Sequence, residues 1–226
     1  MQQFVQSNQY IKSEENLHSL TKLLHAFETH IKPDGVRNRA YLKLIWHRAS
    51  NKIIIAPNQA YYQSAGANTV DGGKVRHFAV MDNAILQLNI MKNIIEFNIN
   101  IIKNFQPLRH YPELVLGLHF IQYKVNQYGA SYSSPDILHV DDEPLVFVHL
   151  LNLTSNAWGG DNLIADIQTK EIKHNIRLEK PLETLILTQD FYHAVTPLGA
   201  REGEAKRDIL LFTVEPGETQ KIEAAA

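Results

Sequence analysis

The chain has 226 residues, a formal charge of −2 and no cysteine. Its length fits one domain with room for a sizeable hydrophobic core. The 44% hydrophobic and 20% charged residues are the balance of a globular protein and exclude a disordered one. A nearly neutral charge gives no reason to expect nucleic acid or an anionic membrane as a partner. Because cysteine is absent, disulfides and thiolate ligands are excluded, and any metal must be held by His, Asp or Glu.

The N-terminus, Met1 to Val5, lacks the basic and apolar regions of a secretory signal peptide. No run approaches the ~18 to 20 apolar residues that a membrane-spanning helix needs. We therefore expect a cytoplasmic protein without a membrane partner, folded as a single domain over residues 1–226.

Two stretches in the first half of the chain have apolar residues at helical spacing. The first, over 13–31, begins with Ser13 as a hydroxyl cap followed by acidic residues, and the turn residues 33–35 end it. The second covers 83–105 and is long enough to pack along one face of a sheet. Between them, 37–46 and 52–56 have the patterns of two strands.

After Pro107 the sequence changes to short segments rich in β-forming residues, separated by Gly, Pro, Ser and Asn turns. The predicted strands are 114–125, 145–153, 162–166, 184–187 and 208–215. This pattern predicts a mainly β fold with bracing helices, a double-stranded β-helix (jelly-roll, cupin-like) barrel. The barrel core would span about 111–216, and a part with helices and short strands about 1–110.

A candidate metal site lies in the segment 137–144. His139 and Asp141 are two residues apart in what the sequence predicts to be an extended segment, so both side chains project from one face. His193, after the strand 184–187, is the best placed third ligand. Two histidines and one carboxylate form the facial triad of non-haem Fe(II) oxygenases, which leaves positions open for a co-substrate and O2. The pattern alone also fits a solvated acidic turn with an unrelated histidine, and it does not exclude zinc.

Arg207 stands fourteen residues after His193, at the head of the apolar strand 208–214. A guanidinium that opens a barrel strand is costly to bury unless an anion meets it with two parallel hydrogen bonds. A dicarboxylate co-substrate would supply that anion, whereas the alternative is an ordinary surface arginine. Arg207 therefore favours the oxygenase interpretation of the three candidate ligands.

Eight ordered blocks of the sequence together resemble the bacterial 2-oxoglutarate- and Fe(II)-dependent dioxygenases that hydroxylate free aliphatic L-amino acids, the L-isoleucine 4-hydroxylase group. The blocks are DGGKVR (71–76), GLH (117–119), SSP (133–135), LHVDDEP (138–144), GGDNLIA (159–165), PLETL (181–185), HAVTPLG (193–199) and RDILL (207–211). Their order is more specific than any one block, and the match spans roughly residues 71–214. The segment before them resembles the family only loosely.

The resemblance implies an enzyme that uses Fe(II), 2-oxoglutarate and O2, with ascorbate as a reductant in vitro. It implies that His139, Asp141 and His193 are the iron ligands. It also implies that Arg207 binds the distal carboxylate of 2-oxoglutarate. The other residues that resemble co-substrate contacts of the family are Tyr123, Ser133 and Thr213.

The implied reaction hydroxylates the side chain of free isoleucine or leucine, or oxidises the sulfur of methionine, and releases succinate and CO2. A free amino acid needs a cation for its carboxylate and an acid or carbonyl for its ammonium group. The candidates for the carboxylate are Arg37, Arg39 and Arg76, and those for the ammonium are Asp142 and Glu143. Each of these side chains is equally suited to a structural ion pair.

Two alternatives stay open from the sequence. A related oxygenase would act on a peptide, a carrier-bound amino acid or another small metabolite, and a peptide or carrier would need an open groove. A barrel of this kind is also compatible with a non-catalytic, cupin-like module that binds a metal or ligand. Succinate release stimulated by particular amino acids separates these possibilities.

Overall fold

The computed structural model describes residues 5–6, 14–133 and 135–217. In this part of the chain the helices are α1 (Glu14–His30) and α2 (Asn89–Asn104). The strands are β1 (Val5–Gln6), β2 (Lys32–Asp34), β3 (Arg37–His47), β4 (Lys52–Ile55), β5 (Tyr61–Gln63), β6 (Lys74–Arg76), β7 (Glu113–Asn126), β8 (Leu145–Leu153), β9 (Ala157–Gly159), β10 (Asn162–Asp166), β11 (Ile172–Ile176), β12 (Thr184–Thr188), β13 (Phe191–Val195), β14 (Leu198–Ala200) and β15 (Glu204–Pro216). The structure is mainly β with two helices, as the sequence predicts.

The two helices differ in how closely they follow the sequence pattern. α1 occupies the predicted range, and its predicted cap, Ser13, lies outside the described residues. α2 begins only at Asn89, because Asn83–Gln87 forms a 3₁₀ turn and Leu88 is extended, with a ψ of 134°. An extended residue interrupts the hydrogen bonds between positions four apart that a helix requires. The prediction of one continuous helix over 83–105 is therefore wrong at its start.

An antiparallel sheet of eight strands forms the main wall of the described structure. Its order is β1-β12-β8-β15-β7-β3-β2, and β4 also pairs with β3. β15 lies between β7 and β8, so that Arg207 is opposite Tyr123 on one side and Leu153 on the other. Smaller sheets are formed by β11-β10-β13, β14-β9 and β5-β6. The pairing brings together strands that are far apart in sequence.

The two faces of the large sheet differ because successive residues of a strand point to opposite sides. Leu116, Leu118 and Phe120 of β7 are fully buried in one core with Phe27 of α1 and Ile94 of α2. Burying a side chain of this size stabilises the fold by about 1.5–3 kcal/mol, so this core holds the helices on the sheet. The opposite face of β7 carries Gly117, His119, Ile121 and Tyr123.

A second core lies between the large sheet and the three-stranded sheet. Ile164 of β10 shares this cluster with Ile121, Val148 and Leu185 of the large sheet. The cavity that contains the candidate site is lined by residues of both sheets.

The strands predicted after Pro107 are all present, and β15 begins earlier than predicted. Arg207 therefore lies inside β15 and not at its head. The sequence pattern did not predict β9, β11, β13 or β14. β13 carries His193, and its mixture of aromatic, polar and small residues lacks a clear period of two. Neither helix of the described chain is long and apolar enough to span a membrane.

A buried polar chain links α2 to the large sheet. Nδ2 of Asn98 donates to Nε2 of His149 at 3.0 Å, and Nδ1 of His149 donates to Oγ1 of Thr184 at 2.8 Å. The Thr184 hydroxyl donates in turn to the carbonyl of Leu182 at 3.2 Å. Burial lowers the pKa of His149 to about 3.

The buried His149 should make stability depend on pH. Its pKa is about 3 in the folded chain and ~6.5 in an unfolded chain, so unfolded chains bind the proton first as the pH falls. We expect the free energy of unfolding to be highest above pH ~6.5 and to decrease toward pH ~3, with His149 contributing up to ~1.4 kcal/mol per pH unit. Urea denaturation at several pH values measures this slope.

The matched variants are His149→Gln in the buried chain and His25→Gln on the exposed face of α1. The first should reduce the slope by about one proton, whereas the second should leave it unchanged. A slope that is the same in His149→Gln and the parent protein would contradict the prediction.

Candidate active site

The three predicted metal ligands lie together although they come from two distant parts of the chain. His139 forms an isolated antiparallel bridge with His193, and the N–H of each donates to the carbonyl of the other at 2.9 Å. Asp141 follows two residues later in a segment without regular secondary structure. The side-chain amide of Gln189 donates to the carbonyls of Asp141 and Asp142, at 3.2 and 2.9 Å, and holds this loop.

The donor atoms of these three residues are spaced like the ligands of one ion. Nε2 of His139 is 3.5 Å from Oδ1 of Asp141, and Nε2 of His193 is 3.3 Å from Oδ2. One donor atom from each residue lies within 4.8 Å of the others. Neighbouring ligands of an octahedral ion with bonds near 2.1 Å are about 3 Å apart. The spacing and the donor types therefore fit a non-haem Fe(II) ion.

Hydrogen bonds and burial set the protonation of the three ligands. Nδ1 of His139 donates to the carbonyl of Ile137 at 2.9 Å, which turns Nε2 towards Asp141. Burial opposes the charge of Asp141, but the charge of His193 and the hydrogen bond from His139 outweigh it and lower the Asp141 pKa. Burial lowers the pKa of His193. Burial also opposes the charged form of His139, but the hydrogen bond to Asp141, the charge of Asp141 and the hydrogen bond to Ile137 together outweigh it and raise the His139 pKa. Metal binding requires both imidazoles to be unprotonated at the ligating nitrogen.

Arg207 is buried in the same cavity with part of its hydrogen-bonding capacity unused. It is 2% exposed, and its Nη2 has no hydrogen-bond partner among the described residues. Its central carbon lies 5.9 Å from the ring centre of Tyr123. Burial is the main cause of its lowered pKa. A carboxylate that accepted two parallel hydrogen bonds would compensate this buried charge.

Gly160, which follows Gly159 in one loop, packs against the aliphatic part of Arg207. Gly159 and Gly160 have positive φ angles of 70° and 73°. A Cβ on Gly160 would lie 3.2 Å from Cδ of Arg207. Arg177 holds this loop by donating to the carbonyl of Gly159 and, at 3.0 Å, to that of Ala157. The position of the Arg207 guanidinium therefore depends on the loop.

The three other predicted co-substrate contacts, Tyr123, Ser133 and Thr213, line this cavity. The Ser133 hydroxyl donates to the carbonyl of Pro135 at 3.2 Å, and the Thr213 hydroxyl donates to that of Gly117 at 3.5 Å. A Cβ on Gly117 would lie 2.4 Å from Oγ1 of Thr213. The absence of a side chain at Gly117 therefore makes room for the Thr213 hydroxyl.

The predicted substrate contacts divide into four residues that line the cavity and one that does not. The four are Arg37, Arg39, Arg76 and Glu143. Asp142 points instead to the β5–β6 hairpin, where its carboxylate accepts hydrogen bonds from the hydroxyl of Ser64 at 2.8 Å and from its N–H at 2.5 Å. The structure thus gives Asp142 a structural contact away from the cavity.

Glu143 is a buried acid of the cavity wall. Its Oε1 accepts a hydrogen bond from the Tyr61 hydroxyl at 3.1 Å. Burial, and next the charge of Asp141, raise the pKa of Glu143 to about 8. A cation bound beside Glu143 would favour its carboxylate form.

Several cavity residues were not identified from the sequence. Tyr61, Gln63 and Asn162 contribute polar groups. No motif marks Tyr61 or Gln63, and Asn162 lies in the block GGDNLIA but was not singled out as a contact. The aliphatic part of the wall is Ile121, Val148, Leu187, Val195, Ile209 and Leu211. The space inside the cavity that the centre of a water molecule can occupy is about 90 Å³.

Comparison with known proteins identifies the family of this chain. Residues 27–213 match the family described as 2OG-Fe dioxygenase. The chain belongs to this family. Its fold is the jelly roll of these dioxygenases, as predicted, and it is an enzyme that depends on Fe(II), 2-oxoglutarate and O2.

Two curated relatives and one solved structure show how similar this dioxygenase is to known members. It is 39% identical over 218 residues to L-isoleucine-4-hydroxylase of Bacillus thuringiensis, which covers 95% of this chain and 90% of the relative. It is 36% identical over 160 residues to 3(1)-hydroxy-L-isoleucine 4-dioxygenase of Pantoea ananatis (strain AJ13355), which covers 70% of this chain and 64% of the relative. The crystal structure of IDO from Bacillus thuringiensis aligns with a TM-score of 0.84 at 38% identity, covering 95% of this chain and 93% of that one.

Proposed function

We propose that His139, Asp141 and His193 bind the Fe(II) ion of this dioxygenase. The spacing of their donor atoms supports this assignment, and so does the hydrogen bond that orients the His139 ring. Three protein ligands on one face of an octahedral ion leave three positions for the keto-acid end of 2-oxoglutarate and for O2.

Arg207 would bind the distal carboxylate of 2-oxoglutarate, with Tyr123, Ser133 and Thr213 beside it. Its burial and its unbonded Nη2 support this role. A guanidinium offers parallel N–H groups that match the two oxygens of a carboxylate. Holding the distal carboxylate in this way leaves the keto-acid end of the co-substrate free for the ion.

With Fe(II) bound, the centre uses O2 and 2-oxoglutarate to convert an aliphatic C–H bond into C–OH, with release of succinate and CO2. The residues of the chain position the reactants and exclude water. Ile121, Val148 and Leu211 give the cavity an aliphatic wall that suits a hydrocarbon side chain.

The proposed substrate is a free aliphatic L-amino acid: isoleucine, leucine, or methionine with oxidation at sulfur. The observation that carries this proposal is a cavity in which buried groups of both charges lie beside an aliphatic wall. Such a cavity complements a zwitterionic head and a hydrocarbon side chain. The relatives named for isoleucine and hydroxyisoleucine support the same class of substrate. Because Arg39, Glu143 and Arg207 are each less than 10% exposed, a small free substrate is favoured over a peptide or a carrier-bound one.

The direct test is to incubate the protein with Fe(II), ascorbate, 2-oxoglutarate and each standard free amino acid in turn. We expect isoleucine, leucine or methionine to stimulate succinate release and to gain the mass of one oxygen atom. Stimulation by peptides or by other metabolites, with none by these amino acids, would overturn the proposed substrate.

Replacing Gly160 with alanine should raise the KM for 2-oxoglutarate about tenfold, with a smaller effect on kcat, because the added methyl group would displace Arg207. The positive φ also makes a side chain at this position unfavourable by about 1 kcal/mol. Gly203→Ala is the matched control, since Gly203 has a φ of 58° but a Cβ there would meet no other residue within 4 Å. Steady-state kinetics of succinate release measure both variants, and an equal change of KM in the two would contradict a role for Gly160 in placing Arg207.

A further inference from the structure

Two arginines of the cavity have buried nitrogen atoms without hydrogen-bond partners in the described part of the chain: Nε and Nη1 of Arg39, and Nε of Arg76. Both guanidinium groups lie against the ring of Phe78, with their central carbons 4.4 and 5.3 Å from its centre. Arg39 belongs to β3 and Arg76 to β6, so two separate elements bring cations to one ring. An aromatic ring attracts a cation but does not replace hydrogen-bond acceptors at its N–H groups.

The charge of Arg39 is poorly compensated by the protein. Oδ2 of Asp34 is 3.6 Å from its Nη1, which is longer than a hydrogen bond. That oxygen already accepts a hydrogen bond from Nε of Arg37 at 3.2 Å. Burial, followed by the charge of Arg37, lowers the pKa of Arg39 to about 10. An anion at Arg39 would relieve both effects.

Arg37 and Arg76 differ in how far the protein satisfies them. Arg37 is bound by Asp34, and its Nη2 also lies 3.9 Å from Oδ2 of Asp71. Arg76 donates from Nη2 to Oε1 of Gln63 at 3.2 Å, but its Nε has no partner among the described residues. Arg39 and Arg76 are therefore the arginines with capacity for a further acceptor, whereas Arg37 stabilises the β2–β3 turn.

A buried acid lies next to these cations, with Tyr61 between them. The central carbon of Arg76 is 5.0 Å from the centre of the Tyr61 ring, and the Tyr61 hydroxyl donates to Oε1 of Glu143 at 3.1 Å. Glu143 is 4% exposed and lines the same cavity. Tyr61 thus contacts the Arg76 cation through its ring and the Glu143 carboxyl through its hydroxyl.

We propose that Arg39 and Arg76, stacked on Phe78, bind the α-carboxylate of the substrate, and that Glu143 accepts its α-ammonium group. This assignment rests on the proposed function, because it takes the substrate to be a free amino acid. It selects two of the three arginines and one of the two acids that the sequence offers as candidates for substrate binding. The site would then select ligands that carry both the α-carboxylate and the α-ammonium group.

The test compares L-isoleucine with L-isoleucinol, which lacks the carboxylate, by calorimetric binding to protein loaded with Mn(II) and 2-oxoglutarate. The parent protein should bind L-isoleucinol about 10- to 100-fold more weakly than L-isoleucine, because the alcohol cannot form the charged hydrogen bonds of the carboxylate. Arg39→Met and Arg76→Met should each weaken the binding of L-isoleucine by about the same factor and should change the binding of L-isoleucinol little. Arg201→Met, at an exposed position outside the cavity, is the matched control, since it should keep the ratio of the two affinities. Arg39→Lys preserves the charge if Arg39→Met does not fold, and it should give an intermediate loss.

The second comparison concerns the ammonium group. Glu143→Gln should weaken L-isoleucine and leave the weak binding of N-acetyl-L-isoleucine unchanged. If Glu143→Gln weakened the binding of L-isoleucine and of N-acetyl-L-isoleucine equally, Glu143 would have only a structural role, and the assignment would be overturned. If the parent protein binds none of L-isoleucine, L-leucine and L-methionine, the proposed function itself fails. If it binds L-isoleucine and Arg39→Met keeps the parent ratio, only the present inference fails.

Discussion

Asp141→Ala should reduce succinate formation by at least about 1000-fold. Asp141 is the carboxylate between the two candidate imidazole ligands, 3.5 and 3.3 Å from their Nε2 atoms. Losing a residue that only orients metal ligands lowers metal affinity or activity about 10- to 100-fold, so losing a direct ligand that also supplies the negative charge should do more. The assay uses saturating Fe(II) and 2-oxoglutarate, and Mn(II)-dependent thermal stabilisation reports metal binding separately from turnover.

The matched control for this variant is Asp136→Ala, an exposed carboxylate five residues earlier in the same loop. It should keep both turnover and the stabilisation by Mn(II). At a metal concentration about 100 times the dissociation constant, the parent protein should gain about 2.7 kcal/mol of stability, and Asp141→Ala should gain almost none. Undiminished metal stabilisation in Asp141→Ala would rule out this aspartate as a ligand.

Arg207→Met should raise the KM for 2-oxoglutarate about 100- to 1000-fold. The variant leaves the distal carboxylate buried without its partner, a loss of about 3–5 kcal/mol for one member of a buried charge pair. Arg207→Lys should be intermediate, because an ammonium group cannot make two parallel hydrogen bonds from one plane. The KM is measured by succinate release, and the affinity by thermal shift with 2-oxoglutarate.

The folding of Arg207→Met provides a second check. Arg207 is 2% exposed with an unbonded Nη2, so methionine removes an uncompensated buried charge and should not lower the midpoint of thermal unfolding without ligand. Arg201→Met, at an exposed position just before β15, should change neither the midpoint nor the KM. An Arg207→Met protein with the parent KM would exclude the proposed contact with 2-oxoglutarate.

Local sequence patterns were sufficient to predict the helices and strands that bury large apolar faces. The helix α1 was predicted because its apolar residues repeat at helical spacing. The strands β7, β8 and β15 were predicted because they are rich in β-forming residues. The start of α2 was mispredicted, since Leu88 is apolar and fits a helical face while its backbone is extended. β13 was missed because its five residues carry no clear period. Periodicity therefore predicts elements whose burial is regular and fails at short irregular ones.

The sequence also supplied the chemical types of the candidate site. His139 and Asp141 are two residues apart, and the ordered blocks up to Arg207 resemble the dioxygenase family to which the chain belongs. The donors converge because His139 pairs with His193 in an antiparallel bridge, while Asp141 lies outside any strand. Pairing between strands that are distant in sequence brings the donors together, and no local pattern encodes that pairing.

By itself, the sequence determined the apolar faces that build this jelly roll and the kinds of side chain available for binding a metal, a dicarboxylate and an amino acid. Only the tertiary structure decided which of those side chains already have partners. Arg37 is bound by Asp34, whereas Arg39 keeps two buried nitrogens unbonded, and Asp142 turns to Ser64, whereas Glu143 faces the cavity. The physical reason is that Coulomb energies and hydrogen bonds depend on distances in space, which adjacent positions in a chain do not specify.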